Sequence, residues 1–226
     1  MHGGISRRCP SSADRPANIV NGKVYVMGGA TTPEGSKDVA ISGNTTANNL
    51  TRNDVYDIAS NTWSSGAPMA LPRNHMFSGT VNGKIYIIGG RVAHAFVAAS
   101  QNTDVVEQYD PATNSWGPQM TKMPTARSGG GYATYNGRIY IGGGEWISRE
   151  VMASFRALEA YDPATDTWQL LPALPGAVHG NAMSFIGNKL HNVSGKMENG
   201  GLPDQMAPAT ADHSVMEFPA ATARTN

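Results

Sequence analysis

Two arginines recur at matching positions and could bind an anionic ligand. Arg73 and Arg127 each stand nine residues before an Asn-Gly dipeptide, at Asn82 and Asn136. A guanidinium binds a carboxylate through two parallel hydrogen bonds, so two of them aimed at one centre would suit an acidic peptide. The same side chains could instead bond backbone carbonyls between neighbouring structural units. The corresponding later position is Val178, which would leave any ring of arginines incomplete.

Six further candidate ligand-binding residues follow apolar segments that end in Gly-Gly or Ser-Gly. A charged or aromatic side chain at the mouth of such a segment can contact a ligand, although each one, taken singly, is better explained as a solvated surface residue. These candidates are Arg91, His94, Glu145, Trp146, Arg149 and Lys196.

Composition and motifs exclude several classes of function. The chain has 17 basic and 17 acidic residues, so it lacks the basic excess that holds a nucleic acid. Its apolar segments have strand length, which predicts no membrane span. The six histidines show no H-E-x-x-H spacing, and neither a phosphate-binding loop nor a G-x-S-x-G turn occurs. The sequence therefore predicts no metal, no cofactor and no catalytic residue.

The first residues, MHGGISRRCPSS, show no apolar stretch of the kind found in signal peptides. The single cysteine, Cys9, can form no internal disulfide and says nothing about the compartment. The localisation is left open by these observations.

The elements that position the candidates come from an internal repeat. Two blocks of sequence recur along the chain. The tyrosine or histidine at the centre of the first block recurs at distances of 61, 54 and 51 residues, and the tryptophan of the second block recurs at distances of 53 and 52 residues. Two independent landmarks share one period of about 52 residues. The first block reads NGKVYVMGG (21–29), NGKIYIIGG (82–90), NGRIYIGGG (136–144) and GNKLHNVSG (187–195), and the second reads DVYDIASNTW, EQYDPATNSW and EAYDPATDTW.

Each repeat predicts four short antiparallel strands. Asn-Gly between alternating apolar runs is a strong hairpin signal because both residues accept positive φ. Asp-Pro-Ala-Thr fits a type I turn, with proline at its second position. The second repeat predicts strands over His75–Val81, Lys84–Gly90 and Asp104–Asp110, with a fourth beginning at Ser115. A four-stranded sheet repeated about every 50 residues is typical of a β-propeller blade, so the fold class is all-β.

The Gly-Gly pair, the tyrosine and the tryptophan after YDPATN resemble kelch repeats over nearly the whole chain. The prediction is an N-terminal tail over residues 1–16 and a propeller over 17–226, with blades near 17–66, 75–119, 129–172 and 179–220. The repeats of this family usually form rings of five to seven blades, so four blades predict an open or incomplete propeller more strongly than a closed four-bladed ring. The exposed end blades of an open array would favour self-association.

The resemblance implies two classes of function. Kelch propellers often bind protein partners, which favours a non-catalytic protein- or ligand-binding module that acts through its long-loop face. Some similar propellers act on carbohydrates, such as galactose oxidase and sialic-acid epimerase. An oxidase of that kind needs a cysteine joined to a tyrosine, and Cys9 lies outside the predicted blades. An epimerase would need an acid near arginines, for which Glu145 with Arg127 is the candidate pair. Fold alone does not decide between these classes.

Overall fold

The computed structural model describes residues 15–30, 49–92, 101–147, 152–197 and 208–219. Within these ranges the chain forms strands, turns and bends. No helix in the described ranges has the length and apolar character needed to cross a membrane.

The strands assemble into four consecutive antiparallel sheets, the blades. Blade 1 contains β1 (Ala17–Val20), β2 (Lys23–Met27), β3 (Asn53–Asp57) and β4 (Thr62–Ser65). Blade 2 contains β5 (Phe77–Val81), β6 (Lys84–Ile88), β9 (Val106–Asp110) and β10 (Ser115–Trp116). Blade 3 contains β11 (Gly131–Tyr135), β12 (Arg138–Gly142), β15 (Leu158–Asp162) and β16 (Thr167–Leu170). Blade 4 contains β17 (Ala182–Ile186), β18 (Lys189–Val193) and β19 (His213–Glu217) in the described residues.

Two short ribbons extend the long connections after the second strands of blades 2 and 3. One pairs β7 (Arg91–Val92) with β8 (Gln101–Asn102), and the other pairs β13 (Glu145–Ile147) with β14 (Met152–Ser154). Alternate connections of an antiparallel meander emerge at the same end of the sheet, so both ribbons lie on one face of the molecule. We call this surface, formed by β7, β8, β13 and β14, the ribbon face.

The turns follow the chemistry of the sequence. Asn82 and Gly83 have φ of 50° and 74°, the left-handed geometry that a two-residue hairpin requires. At the Asp-Pro-Ala-Thr turns, the backbone N–H of Ala112 donates to Asp110 Oδ1 at 2.9 Å, and Ala164 does the same to Asp162 at 3.0 Å. The predicted hairpins and turns of the two central repeats are confirmed.

The hydrophobic core lies between blades in three successive clusters. The second strands of blades 2 and 3 contribute to it from both sides, which explains why they are apolar on both faces. The repeated tyrosines cross these interfaces, as where Tyr25 of blade 1 meets Tyr109 of blade 2 with ring centroids 5.9 Å apart. Trp116 Nε1 donates to the carbonyl of Ala67, in the linker from blade 1, at 3.0 Å. Tyr25, Tyr109 and Trp116 thus pack between blades 1 and 2.

The second glycine of each Gly-Gly pair makes one hydrogen bond across the blade interface. The N–H of Gly29 donates to the carbonyl of Arg73 at 3.0 Å, that of Gly90 to Arg127 at 3.0 Å, and that of Gly144 to Val178 at 2.8 Å. Gly90 has φ of 91°, and a Cβ placed there would lie 2.7 Å from a neighbouring carbonyl oxygen. Glycine is therefore required by both backbone conformation and space.

The blades form an open arc in the described residues. Apolar clusters and hydrogen bonds join blade 1 to 2, 2 to 3 and 3 to 4, and none among the described residues joins blade 4 to blade 1. The side of a blade that packs on the following blade is called its leading face, and the opposite side its trailing face. The trailing face of blade 1 and the leading face of blade 4 are thus left without a neighbouring blade among the described residues.

Candidate functional site

Arg73 and Arg127 lie inside their own blades. Both are 0% exposed. Arg73 donates to the carbonyls of Ile87, Gly89 and Val105 of blade 2. Arg127 of blade 3 likewise donates to three backbone carbonyls, those of Thr125, Ile141 and Gly143. Of the two alternatives from the sequence, an anionic-ligand site and bonds to backbone carbonyls between units, the side chains form bonds to backbone carbonyls, and these carbonyls lie in their own blades. Their own carbonyls accept hydrogen bonds from the preceding blade, and the Arg127 guanidinium also lies 5.9 Å from the ring centroid of Phe77 of blade 2.

Each of these arginines is paired with an acidic residue that the sequence reasoning missed, and of the two acids Glu159 is fully buried. Arg73 Nη2 lies 2.5 Å from Glu107 Oε2, and Arg127 Nη1 lies 2.5 Å from Glu159 Oε2. Blade 1 repeats the arrangement with Arg15, which donates to Asp54 and to the Val26 carbonyl. The second repeated block of the sequence contains this acid in each of its three copies. Each acid stands two residues before the repeated tyrosine of DVYD, EQYD or EAYD.

Blade 4 has lost both members of this ion pair together. Val178 occupies the arginine position, and the register of β18 with β19 places Ser214 where the acid stands in the other blades. A buried arginine without its carboxylate, or the reverse, would leave an uncompensated charge. The joint replacement indicates that the pair holds a blade together and is dispensable only as a pair.

Burial lowers the pKa of both guanidinium groups, and the neighbouring carboxylates oppose that shift. For Arg73 the opposing charge is Glu107, and for Arg127 it is Glu159. An arginine pKa starts so high that both groups remain charged at neutral pH. These two residues are consequently structural cations in a low-dielectric interior.

In blades 2, 3 and 4, the residue after the Gly-Gly or Ser-Gly pair lies beside the innermost strand, at the centre of the ribbon face. There it pairs with a residue just before that strand. The pairs are Asn74 with Arg91, Ser128 with Glu145, and His179 with Lys196. Three of the candidates from the sequence, Arg91, Glu145 and Lys196, are therefore brought to corresponding positions of consecutive blades.

A buried polar network connects three blades at this level. Arg91 Nη1 donates to Glu145 Oε1 at 2.9 Å, and Glu145 Oε2 lies 3.3 Å from His179 Nδ1. Arg91 Nε also donates to Asn74 Oδ1 at 3.0 Å. Asn102 Nδ2 donates to the Glu145 carbonyl at 2.5 Å and so ties the ribbon of blade 2 to that of blade 3. The network fixes the two ribbons relative to each other.

His75 stands at a special backbone position next to this network. It has φ of 51°, whereas the same position holds Gly129 in blade 3 and Gly180 in blade 4. Its ring faces Arg91 Nη2 at 3.1 Å, and it lines a shallow depression of about 180 Å³ with Arg15 and Tyr132. A non-glycine residue in the left-handed region is uncommon, so here the side chain is held by its contacts with Arg91.

Of the remaining candidates, one lies on the ribbon of blade 3 and two lie outside the described residues. Trp146 lies on β13 and is half-buried, and Lys196 is half-buried beside β18. His94 and Arg149 lie outside the described residues. The expected pairing of Glu145 with Arg127 is wrong, because Glu145 pairs with Arg91 and His179 whereas Arg127 pairs with Glu159.

Comparison with known proteins agrees with this architecture. The chain matches the solved structure of YjhT with a TM-score of 0.70 at 18% identity, over 97% of this chain and 68% of that one. The likeness and the repeated four-stranded sheets define the class: the chain is an all-β propeller protein.

The sequence matches of this chain are to kelch-repeat proteins. Residues 72–118 match the Kelch motif. The chain is 30% identical over 135 residues to Kelch-like protein terF of Aspergillus terreus, covering 58% of this chain and 28% of that protein. It is 35% identical over 127 residues to Kelch-like protein 36 of Mus musculus, covering 55% and 20%. With Beta-scruin of Limulus polyphemus it shares 28% identity over 142 residues, covering 62% and 15%. The chain thus contains a Kelch motif and resembles kelch-repeat proteins, and it spans less than a third of the length of these relatives.

Proposed function

We propose that this chain is a protein-interaction module that binds its partner through the ribbon face. The observation that carries this proposal is the pair of ribbons from adjacent blades, which stand on a buried network and are joined by the bond from Asn102 to Glu145. Recognition concentrates on variable loops that a rigid scaffold positions. The opposite face carries tight turns of nearly constant sequence.

The buried charges favour a partner that is recognised by shape and apolar contact. Arg91 and Glu145 neutralise each other, so the floor of the ribbon face presents no strong net charge. Trp146 is half-buried on β13 and leaves part of its indole accessible. Partly exposed tryptophans are frequent anchors of protein interfaces. Trp146 is therefore the proposed contact residue.

A photo-crosslinking amino acid at position 146 tests the proposal, with the same amino acid at position 112 as the matched control. Ala112 is exposed in a tight turn on the opposite face. In an extract of the source cells, we expect a discrete crosslinked protein from position 146 and none from position 112. Equal crosslinking from both positions, or crosslinking from position 112 alone, would contradict the assignment of the ribbon face.

The same preparation distinguishes a protein partner from a carbohydrate. We expect no binding on a glycan array. Binding of a glycan that Trp146→Ala abolishes would replace the protein partner by a sugar on the same face.

Self-association is a second candidate, favoured by the exposed end of the arc. Ile186 on the leading face of blade 4 is 67% exposed, whereas the matching Val20 and Val81 of blades 1 and 2 are each 5% exposed. Val193 is 40% exposed, whereas the matching Ile88 is fully buried. Large apolar side chains exposed on one face of a protein are typical of an interaction site.

Sedimentation velocity over a wide range of protein concentration tests self-association. We expect the weight-average mass to rise with concentration above that of one 23.9 kDa chain. A constant monomer mass at every concentration would contradict it.

A further inference from the structure

We propose that two copies of this chain associate head to tail, with the leading face of blade 4 of one copy packed on the trailing face of blade 1 of the other. This inference rests on the proposed self-association and specifies its geometry. The two end faces carry the two different halves of an interface that the chain already makes three times within itself.

The trailing half is present on blade 1. In blades 2 and 3 it consists of two isoleucines from the second strand and the repeated tyrosine, all at most 2% exposed. Blade 1 holds Val24, Val26 and Tyr56 at these positions, and all three are only half-buried. They are the trailing residues of an interior blade without a preceding blade among the described residues.

The outer rim of this trailing half is also preformed. Tyr56 and Trp63 have ring centroids 5.1 Å apart, and the same pair in blade 2, Tyr109 and Trp116, has 5.2 Å. In blades 2 and 3 the indole N–H bonds the linker of the preceding blade. Among the described residues, the indole N–H of Trp63 has no such acceptor. Blade 1 thus carries a donor arranged for a preceding blade.

The leading half is present on blade 4. The register of β17 and β18 places Ile186, Ser184 and Val193 on the side opposite the cluster shared with blade 3. The N–H of Gly195 stands where Gly29, Gly90 and Gly144 each bond the next blade, and it donates to no carbonyl of the described residues. Blade 4 therefore presents the same donor and apolar positions that the three internal interfaces use.

The two halves differ, so like faces do not match each other. A leading face offers a glycine N–H and the end of the second strand, whereas a trailing face offers the tyrosine–tryptophan pair. Contact between a leading and a trailing face is heterologous and leaves one end of each copy open. Such an interface produces a ring where the rotation closes and a growing chain where it does not.

The internal interfaces also define which residues would meet. Gly79 on the leading side of blade 2 lies against Thr134 on the trailing side of blade 3, where an added Cβ would be 2.9 Å from Thr134 Oγ1. By strand register, the position of Gly79 corresponds to Ser184 in blade 4, and that of Thr134 to Ile19 in blade 1. Head-to-tail packing therefore brings Ser184 of one copy against Ile19 of the other.

Complementation of two single-face variants tests the geometry. Val24→Glu places a charge on the trailing face of blade 1, and Ile186→Glu places one on the leading face of blade 4. Each variant alone should be monomeric at concentrations where the unaltered chain associates. The equimolar mixture should regain a dimer of one copy of each, since it retains one intact face of each kind. Leu170→Glu is the matched control, because Leu170 is 70% exposed on the outermost strand of blade 3, away from both end faces.

The outcomes separate the proposals. Failure of the unaltered chain to associate would overturn self-association itself and the geometry with it. Association of either variant alone, to the same extent as Leu170→Glu, would overturn the head-to-tail geometry and leave self-association standing. Unchanged melting temperatures of the variants show that each is folded, and at least a tenfold weakening of association is expected for each.

Cysteine trapping gives a second readout that does not depend on a disrupted face. In a Cys9→Ser background, Ser184→Cys and Ile19→Cys are made in separate chains and mixed under oxidising conditions. Head-to-tail packing gives a disulfide-linked heterodimer from the mixture and little linked product from either variant alone. Linked homodimers at the same yield would contradict it.

Discussion

The buried Arg127–Glu159 pair should behave as one structural unit in blade 3. Both side chains are fully buried, and Arg127 also donates to three backbone carbonyls. Removing one partner of such a pair typically costs about 3 to 5 kcal/mol because the other is left buried and uncompensated. For a chain of this length, that loss lowers the melting temperature by roughly 6 to 20 °C. We expect Arg127→Val and Glu159→Ser to show losses of this size singly.

Blade 4 provides the double replacement, with valine and serine at these two positions. In a double-mutant cycle, the double variant should therefore be more stable than the sum of the single losses indicates, by about 1 to 3 kcal/mol. Urea unfolding monitored by tryptophan fluorescence measures each free energy of unfolding. Lys122→Ala is the control, because its ion pair with Asp104 is exposed, and it should change stability by less than about 0.5 kcal/mol.

Two results would refute this reasoning. A decrease of less than about 1 kcal/mol in the free energy of unfolding for Arg127→Val would show that the pair does not stabilise the blade. Strict additivity of the two single losses would show that arginine and glutamate act independently.

Three further predictions compare matched positions of different repeats. Trp116→Phe removes an indole N–H that bonds a linker carbonyl, so it should lower the free energy of unfolding in urea by about 1 kcal/mol, and Trp63→Phe should lower it by less. Equal losses of stability in the two variants would count against the role of this bond. Gly90→Ala should destabilise the chain more than Gly83→Ala, since both have positive φ but only position 90 is crowded, at 2.7 Å; the reverse order in thermal melting would contradict the packing. Burial raises the pKa of Asp166, but hydrogen bonds that it accepts outweigh this and hold the pKa below its usual value. Its stabilisation is therefore present above about pH 4 and is lost as pH falls through the folded pKa, so the stability advantage over Asp166→Asn should shrink on acidification; a constant advantage between about pH 6 and pH 3 would refute it.

Local turn chemistry and periodicity made the fold predictable from the sequence. Asn-Gly turns and Asp-Pro turns fix strand ends almost by themselves, and the four copies of the first repeated block indicate four repeats. The predicted strand over Lys84–Gly90 is observed as β6, Lys84–Ile88. It is shorter because Gly89 and Gly90 leave the strand with positive φ, and the N–H of Gly90 bonds the carbonyl of Arg127 in the next blade.

The candidate site was predictable only in part, because the sequence does not show where a long side chain turns. The sequence left Arg73 and Arg127 either at a ligand site or bonded to carbonyls between blades, and their side chains bond carbonyls of their own blades. The repeated acids two residues before each tyrosine would have indicated this. Arg91 and Glu145 were both candidates, but no sequence signal indicated their hydrogen bond, which crosses from blade 2 to blade 3.

The second glycine of each Gly-Gly pair donates its N–H to a carbonyl of the next blade, and this bond is made three times but not from blade 4 among the described residues. Amide hydrogen exchange tests this pattern most directly. The N–H groups of Gly90 and Gly144 bond the next blade, whereas that of Gly195 has no such partner among the described residues. In dilute protein, we expect slow exchange at the first two positions and fast exchange at Gly195. At concentrations where the chain associates, Gly195 should become protected. Slow exchange of Gly195 in the dilute monomer would contradict the open arc.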